Sequence, residues 1–332
     1  ATATEAGSKA NAEADSELFG SAWGIQVHVS TLNGDIGNSG VVDVSVVNSS
    51  VASARATGVD EGEASASAES RSEGFGYDID IYSVMDGDIY NHGDVSVVVI
   101  DSAEAVAKGD DDKSEAQARS RAEAVGYDIY VALLAGDIVN GPDGSVLVIA
   151  DSSAVSDAAT QSKAKSRADA TGYEIDVDDL AGDIVNHGYV GVGAYSTADA
   201  LGDAKAWAKA RAYGYDIEVE SIFGDFTNTG LIEVYADAAA LAQTTEGVDD
   251  KAKAHARATG VRLEGGGGPQ TLFGDINNTE DATILAVATA EAVLDPGPNA
   301  LDNDVVDGKA EAFAIRLEDG VTVTGGLYND GN

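Results

Sequence analysis

The seven residues from Gly182 to Gly188 read GDIVNHG, and Gly87 to Gly93 read GDIYNHG. Asp, Asn and His within five positions are the side chains of a metal site, or of the acid pair of a sugar-cleaving enzyme. A repeated turn leaves the same trace, because Asp and Asn cap turns and Gly opens them. The repetition itself separates these readings, since the motif is not confined to two places.

The opening glycine recurs at Gly34, Gly87, Gly136, Gly182, Gly224, Gly274 and, in weakened form, Gly325, with spacings of 53, 49, 46, 42, 50 and 51 residues. A second anchor precedes each: Gly24-Ile25, then Gly-Tyr-Asp/Glu-Ile from Gly76, Gly126, Gly172 and Gly214, then Gly260-Val261 and Ala314-Ile315. The chain therefore reads as one repeat domain, 1–332, of about seven degenerate copies. Length changes concentrate at acidic or Gly/Pro-rich joints such as KGDDDK (108–113) and DPGPNALDND (295–304), which is where surface turns tolerate insertion.

Between joints the period is two. In residues 114–125 the even positions read Ser, Ala, Ala, Ser, Ala, Ala and the odd ones Glu, Gln, Arg, Arg, Glu, Val; Lys163, Lys165 and Arg167 likewise alternate with Ala164, Ser166 and Ala168. A strand sends these sets to opposite faces, whereas a helix would mix them. Alanine's helix preference is the counter-argument, but the β-branched runs 95–99, 146–149 and 284–287 carry no such ambiguity. Copies of strands and glycine turns, each too small to close a core, predict an all-β parallel β-solenoid. One wide coil per repeat and two narrower ones both fit a 42–53-residue period.

In a stack, a recurring residue lies beside its own copies and must be compatible with them. Asparagine passes in all seven: Asn38, Asn91, Asn140, Asn186, Asn228, Asn278 and Asn329. Its amide donates to one neighbour and accepts from the other, and it tolerates the left-handed conformation of a sharp corner. The aspartates Asp35, Asp88, Asp137, Asp183, Asp225 and Asp275 form a second column, replaced by Gly326 in the last copy. Unit charges stacked ~5 Å apart in water repel by about 1 kcal/mol per neighbour. Backbone amides at the turn could offset this, and so could calcium, a hard cation that takes carboxylate and carbonyl oxygens. No cofactor other than calcium is suggested. A further acidic column follows the other anchor at Asp78, Asp128, Glu174 and Asp216. The histidine fails the test: the positions of His92 and His187 hold Ser39, Gly141, Thr229, Thr279 and Asp330 elsewhere, all turn residues. Tyr77, Tyr127, Tyr173 and Tyr215 share a column that either binds sugar rings from an exposed face or packs ring on ring.

The A-x-A-x-A-x-G-[YI] strands combined with GD-I-x-N-x-G-x-[VI]-x-V turns, as in residues 164–192, resemble the repetitive passenger regions of bacterial autotransporters and related large β-helical surface proteins. That resemblance implies an extracellular or cell-surface protein that is adhesive, matrix-forming or structural, secreted and present here without its signal peptide. Right-handed β-helices also include pectate lyases and polygalacturonases, which makes a carbohydrate-active or carbohydrate-binding protein the alternative.

Composition narrows the field. With 58 acids, 19 bases and a formal net charge of −39, the chain repels nucleic acid and discourages contact with anionic membranes. There is no apolar run long enough to insert in a bilayer. It has no cysteine, so thiol chemistry and disulfides are absent. Acids spread evenly over every copy follow an architecture rather than one catalytic coil, so no enzymatic activity is expected. The sequence opens in strand-like ATATEAGSKANAEA (1–14) and closes after NDGN, where the next strand of the period is due. These complementary phases lead to the expectation that subunits stack head to tail into a surface or matrix filament, with a copy of itself as first partner and surface polysaccharide as second. A piece of a longer array would look the same.

Overall fold

The computed structural model describes residues 2–5, 10–58, 62–108, 114–243, 250–265, 270–272, 274–295, 305–318 and 321–332. The joint segments 109–113 and 296–304, and the glycine run at 266–268, lie outside them.

The chain forms a parallel β-solenoid of about seven coils, one per repeat. The first six coils each have a long first strand, a three-residue corner strand and a long second strand, and the seventh is described as far as its corner strand Leu327–Asn329. The third coil runs through Ser114–Ala135, Ile138–Asn140 and Ser145–Ala158. The first strands of the other coils are Ala10–Asn33, Gly62–Asp86, Gln161–Leu180, Ala204–Ile222, Lys251–Gly265 and Val305–Leu317. Equivalent strands stack into three parallel sheets, one of first strands, one of corners, one of second strands. Of the two coil counts compatible with the period, the wide single coil is the one formed.

Alternation decides what faces inward. In Ser114–Ala135 the side chains of Ala116, Ala118, Ala122 and Ala124 are buried between the first and second sheets, opposite Ala103, Ala105 and Ala107. These small residues bring the two sheets close, making a thin arm. Serines in the same layer meet across it: Ser152 donates to Ser120 at 2.8 Å, Ser166 to Ser152 at 2.9 Å and Ser196 to Ser166 at 2.8 Å. Buried Asp101 is satisfied by Ser70, Ser72 and Ser120 hydroxyls at 2.6 to 2.7 Å and by the Arg121 amide at 3.0 Å. A buried polar layer of this kind is stable only when every member is paired.

The second anchor switches the inward parity. In the third coil Ala124 and Gly126 are inward on even positions, then Tyr127, Ile129 and Val131 on odd ones. Past this switch the interior holds Tyr, Ile, Leu and Val, and the coil widens toward the corner. A Cβ on Gly126 would lie 2.5 Å from the Gly172 carbonyl oxygen of the next coil and 2.7 Å from Val146 Cγ1. The same carbonyl approach, 2.5 to 2.6 Å, recurs at Gly24, Gly76, Gly172, Gly214 and Gly260. Only hydrogen fits between these coils.

The four tyrosines pack rather than present a binding face. Their rings stack at centroid distances of 4.6 to 4.8 Å with interplanar angles of 5° or less, and each is 2% exposed or less.

Candidate functional site: the corner columns and the first-sheet face

Seven corner strands, from Ile36–Asn38 to Leu327–Asn329, form the narrow third sheet, in which every asparagine is in register with the next. The central five, from Asn91 to Asn278, are at most 3% exposed. Each Nδ2 donates to Oδ1 of the next coil: Asn38 to Asn91, Asn91 to Asn140, Asn140 to Asn186, Asn186 to Asn228, Asn228 to Asn278 and Asn278 to Asn329, at 2.7 to 2.9 Å. Oδ1 also accepts the amide two residues on, as from Gly40, Gly93 and Gly230. The asparagines close extended corner strands and need no left-handed backbone; positive φ falls at glycines, including Gly34 at 137° and Gly87 at 153°.

The aspartates do what the sequence assigned to local turn amides, but they do it across coils. Oδ1 of Asp35 accepts the backbone N–H of Asp88, and the pattern continues Asp88 to Asp137, Asp137 to Asp183, Asp183 to Asp225, Asp225 to Asp275 and Asp275 to Gly326, at 2.7 to 2.9 Å. Each carboxylate caps the next coil and receives a charge-assisted bond that offsets repulsion along the column. The second oxygen of each carboxylate is the atom a calcium ion would use. The six lie one to a coil, and among the described residues no group of three or more Asp, Glu, His or Cys has a metal-holding arrangement. Gly182 and Gly188 are required by close approach, since a Cβ would lie 2.1 Å from the Gly136 oxygen and 2.2 Å from the Gly144 oxygen.

The two motif histidines are turn residues, and the other two lie on first strands. His92 and His187 are exposed, and His187 Nδ1 meets Thr229 Oγ1 at 2.6 Å. His28 contacts Asp80 and Tyr82 on an exposed surface, and His255 lies 3.4 Å from Asp307.

Sequence reading missed a second feature, a separation of charge on the outer face of the first sheet. Consider the outward columns that pass through Gln117, Arg119, Arg121 and Glu123, in the four coils starting at Ser114, Gln161, Ala204 and Lys251. These sixteen positions hold eleven of the chain's 19 Lys and Arg and two of its 58 Asp and Glu. One column runs Arg71, Arg121, Arg167, Lys209, His255 and Lys309. Arg71, Arg121 and Arg167 are paired in-strand with Glu73, Glu123 and Asp169. Lys163, Lys205, Lys251 and Lys253 have no carboxylate within 4.0 Å among the described residues. Lys165 sits over the Trp207 ring at 5.2 Å. Burial, then Arg211 and Arg167, hold the Lys209 ammonium below its usual value.

Beyond the glycine column the same face turns acidic. Asp78, Asp128, Glu174 and Asp216 share one column, and Asp80, Asp176 and Glu218 lie in the next one outward. Desolvation and then the carboxylates of neighbouring coils raise Asp128 to about 6 and Glu174 to about 8. Asp216 is raised to about 6 by desolvation, against the pull of Arg262 at 3.0 Å. Glu174 keeps part of its side chain in solvent, which screens its share of this repulsion. The signal was present in the odd positions of each arm, but its division into halves depends on the parity switch at the glycine.

No family model, curated protein or solved structure matches the chain.

Proposed function

We propose that this is an extracellular structural or adhesive β-solenoid protein whose copies associate end to end into a surface or matrix filament. The observation that carries the reading is the polarity of the asparagine ladder. From Asn38 to Asn278 every Nδ2 donates to Oδ1 of the following coil, so the stack has one direction and each coil accepts from the one before it and donates to the one after it. A like coil added in register along that direction, from the same chain or from a second copy, meets the complementary group. The even spread of acids over the coils supports a non-enzymatic role.

Two residues shape such a joint. The glycine column leaves room for the next coil's carbonyl, but its seventh member is Ala314, whose methyl points where that carbonyl would lie. The aspartate column ends in Gly326, which receives a cap from Asp275 and offers none. A joint at this end is therefore looser than an internal one. Electron microscopy of the chain should show short filaments, and Ala314→Gly with Gly326→Asp should lengthen them. Isolated particles for both proteins would refute the reading.

The alternative, a carbohydrate-active or carbohydrate-binding β-helix, draws on Trp207 among the cations of the first sheet. Binding of an acidic polysaccharide that is lost in Trp207→Ala would favour it.

A further inference from the structure

We propose that the outer face of the first sheet is a self-complementary docking surface, through which two copies pair side by side with the cationic half of each against the carboxylate half of the other. This contact is lateral and does not depend on the end-to-end joint.

In the single chain both halves are left with uncompensated charge. Stacking places like charges roughly one strand spacing, ~4.8 Å, apart. Along Arg121, Arg167 and Lys209 they are only partly met by Glu123 and Asp169, and along Asp78, Asp128 and Glu174 no cation pairs with them among the described residues. Lys163, Lys205, Lys251 and Lys253 likewise have no carboxylate within 4.0 Å among the described residues. Burial first, and the like charges beside them second, raise the carboxyls of Asp128 and Glu174 and lower the ammonium of Lys209.

The glycine column through Gly76, Gly126, Gly172 and Gly214 divides the two halves and runs along the stack. A twofold axis parallel to it, lying in the contact plane, exchanges the halves: cations of one copy meet carboxylates of the other, twice. A twofold axis along the strands would instead set cation on cation. Because both partners have the same coil rise, opposed charges stay in register through the third, fourth and fifth coils, beyond which the acidic column gives way to Arg262 and Arg316. A free polyanion would satisfy only the cationic half, and a divalent cation only the carboxylate half; a second copy satisfies both.

The test is sedimentation of the full chain at about 0.1 M salt, where a Debye length of ~10 Å screens the net charge of the two chains but not charges in contact. One variant reverses the cationic half (Arg121→Glu, Arg167→Glu, Lys209→Glu). The other reverses the acidic half (Asp128→Lys, Glu174→Lys, Asp216→Lys). Circular dichroism establishes that each is folded. Wild type should dimerise, each variant alone should bind itself at least tenfold more weakly, and an equimolar mixture should recover a heterodimer. A monomeric wild type, variants that still dimerise, or a mixture that stays monomeric would overturn the proposal. So would tight binding of added polygalacturonate to a chain that remains monomeric, which would make the face a polyanion site. Filaments that persist in both variants with no lateral pair in wild type would leave the end-to-end reading standing and remove this one.

Discussion

The corner and the outer face of the first sheet are both written by repetition, yet they treat polar groups in opposite ways. At the corner, the recurring Asn and Asp each hydrogen-bond to the following coil, so the stack satisfies its own chemistry. On the outer face, Lys163, Lys205 and Lys251 and the carboxylates Asp78, Asp128 and Glu174 recur down their columns without an opposite charge paired to them among the described residues, until Arg262 meets Asp216. Recurrence alone therefore does not mark a functional residue. Satisfaction is the better guide: groups spent on the next coil are architecture, and groups left unspent are the ones available to a partner.

The largest way to break the corner's side of this comparison is to separate coils. Gly172→Ala would set a methyl 2.6 Å from the Gly214 oxygen and 2.7 Å from Val190 Cγ1. It should cost about 3 kcal/mol in chemical denaturation, in line with overpacking of rigid interiors. The matching Ala314→Gly, on a strand that pairs on one side only among the described residues, should leave the stability of the 332-residue chain nearly unchanged.

The outer face should respond to pH. Asp128 and Asp216 titrate near 6 and Glu174 near 8 in the folded chain, against 3.8 and 4.5 ordinarily. The folded state thus holds protons that the unfolded state releases, so their contribution is full below about pH 4 and is lost as pH rises through 6 to 8. At concentrations where the chain is monomeric, Tm should fall between pH 5 and pH 9. Glu174→Gln should flatten the upper part of that fall; an unchanged slope would show that the carboxylate column is not strained.

Smaller effects sharpen the role of the aspartates. Asp183→Ala removes the acceptor of the Asp225 amide and should cost about 1 kcal/mol, as lost caps do. Asp183→Asn keeps the acceptor oxygen and should cost less than half of that. If calcium instead neutralises the column, millimolar calcium would raise Tm in wild type and both substitutions would abolish the rise equally. Smallest of all, His187→Ala at its exposed turn should stay within about 0.5 kcal/mol of wild type.

Much of this was legible in the sequence because it depends on alternation and self-compatibility. Ala164, Ser166 and Ala168 were assigned to one face and are buried, and the asparagines were assigned to a ladder and form one. What was not legible depends on distances between coils. The period did not fix one coil per repeat, since two short turns or one long arm use the same number of residues. The glycine at each second anchor is conspicuous in sequence, but its reason is the carbonyl of a coil some fifty residues away. The aspartates' acceptor role was read, and its donor was misplaced in the local turn for the same cause. The acidic column and the outward cations were each read, but their division of one face into two halves escaped, because residues 71 and 78 share an outer face only after the parity switch.

The central claim is that the corner motif joins coil to coil, and a double-mutant cycle tests it most directly. Asn140→Ala, Asn186→Ala and the double variant should show a coupling of about 1 to 2 kcal/mol, because Asn140 donates to Asn186 at 2.8 Å. Asn91 and Asn228, which are not bonded to each other, serve as the control and should be additive to within about 0.5 kcal/mol. Additive losses for the adjacent pair would contradict the account.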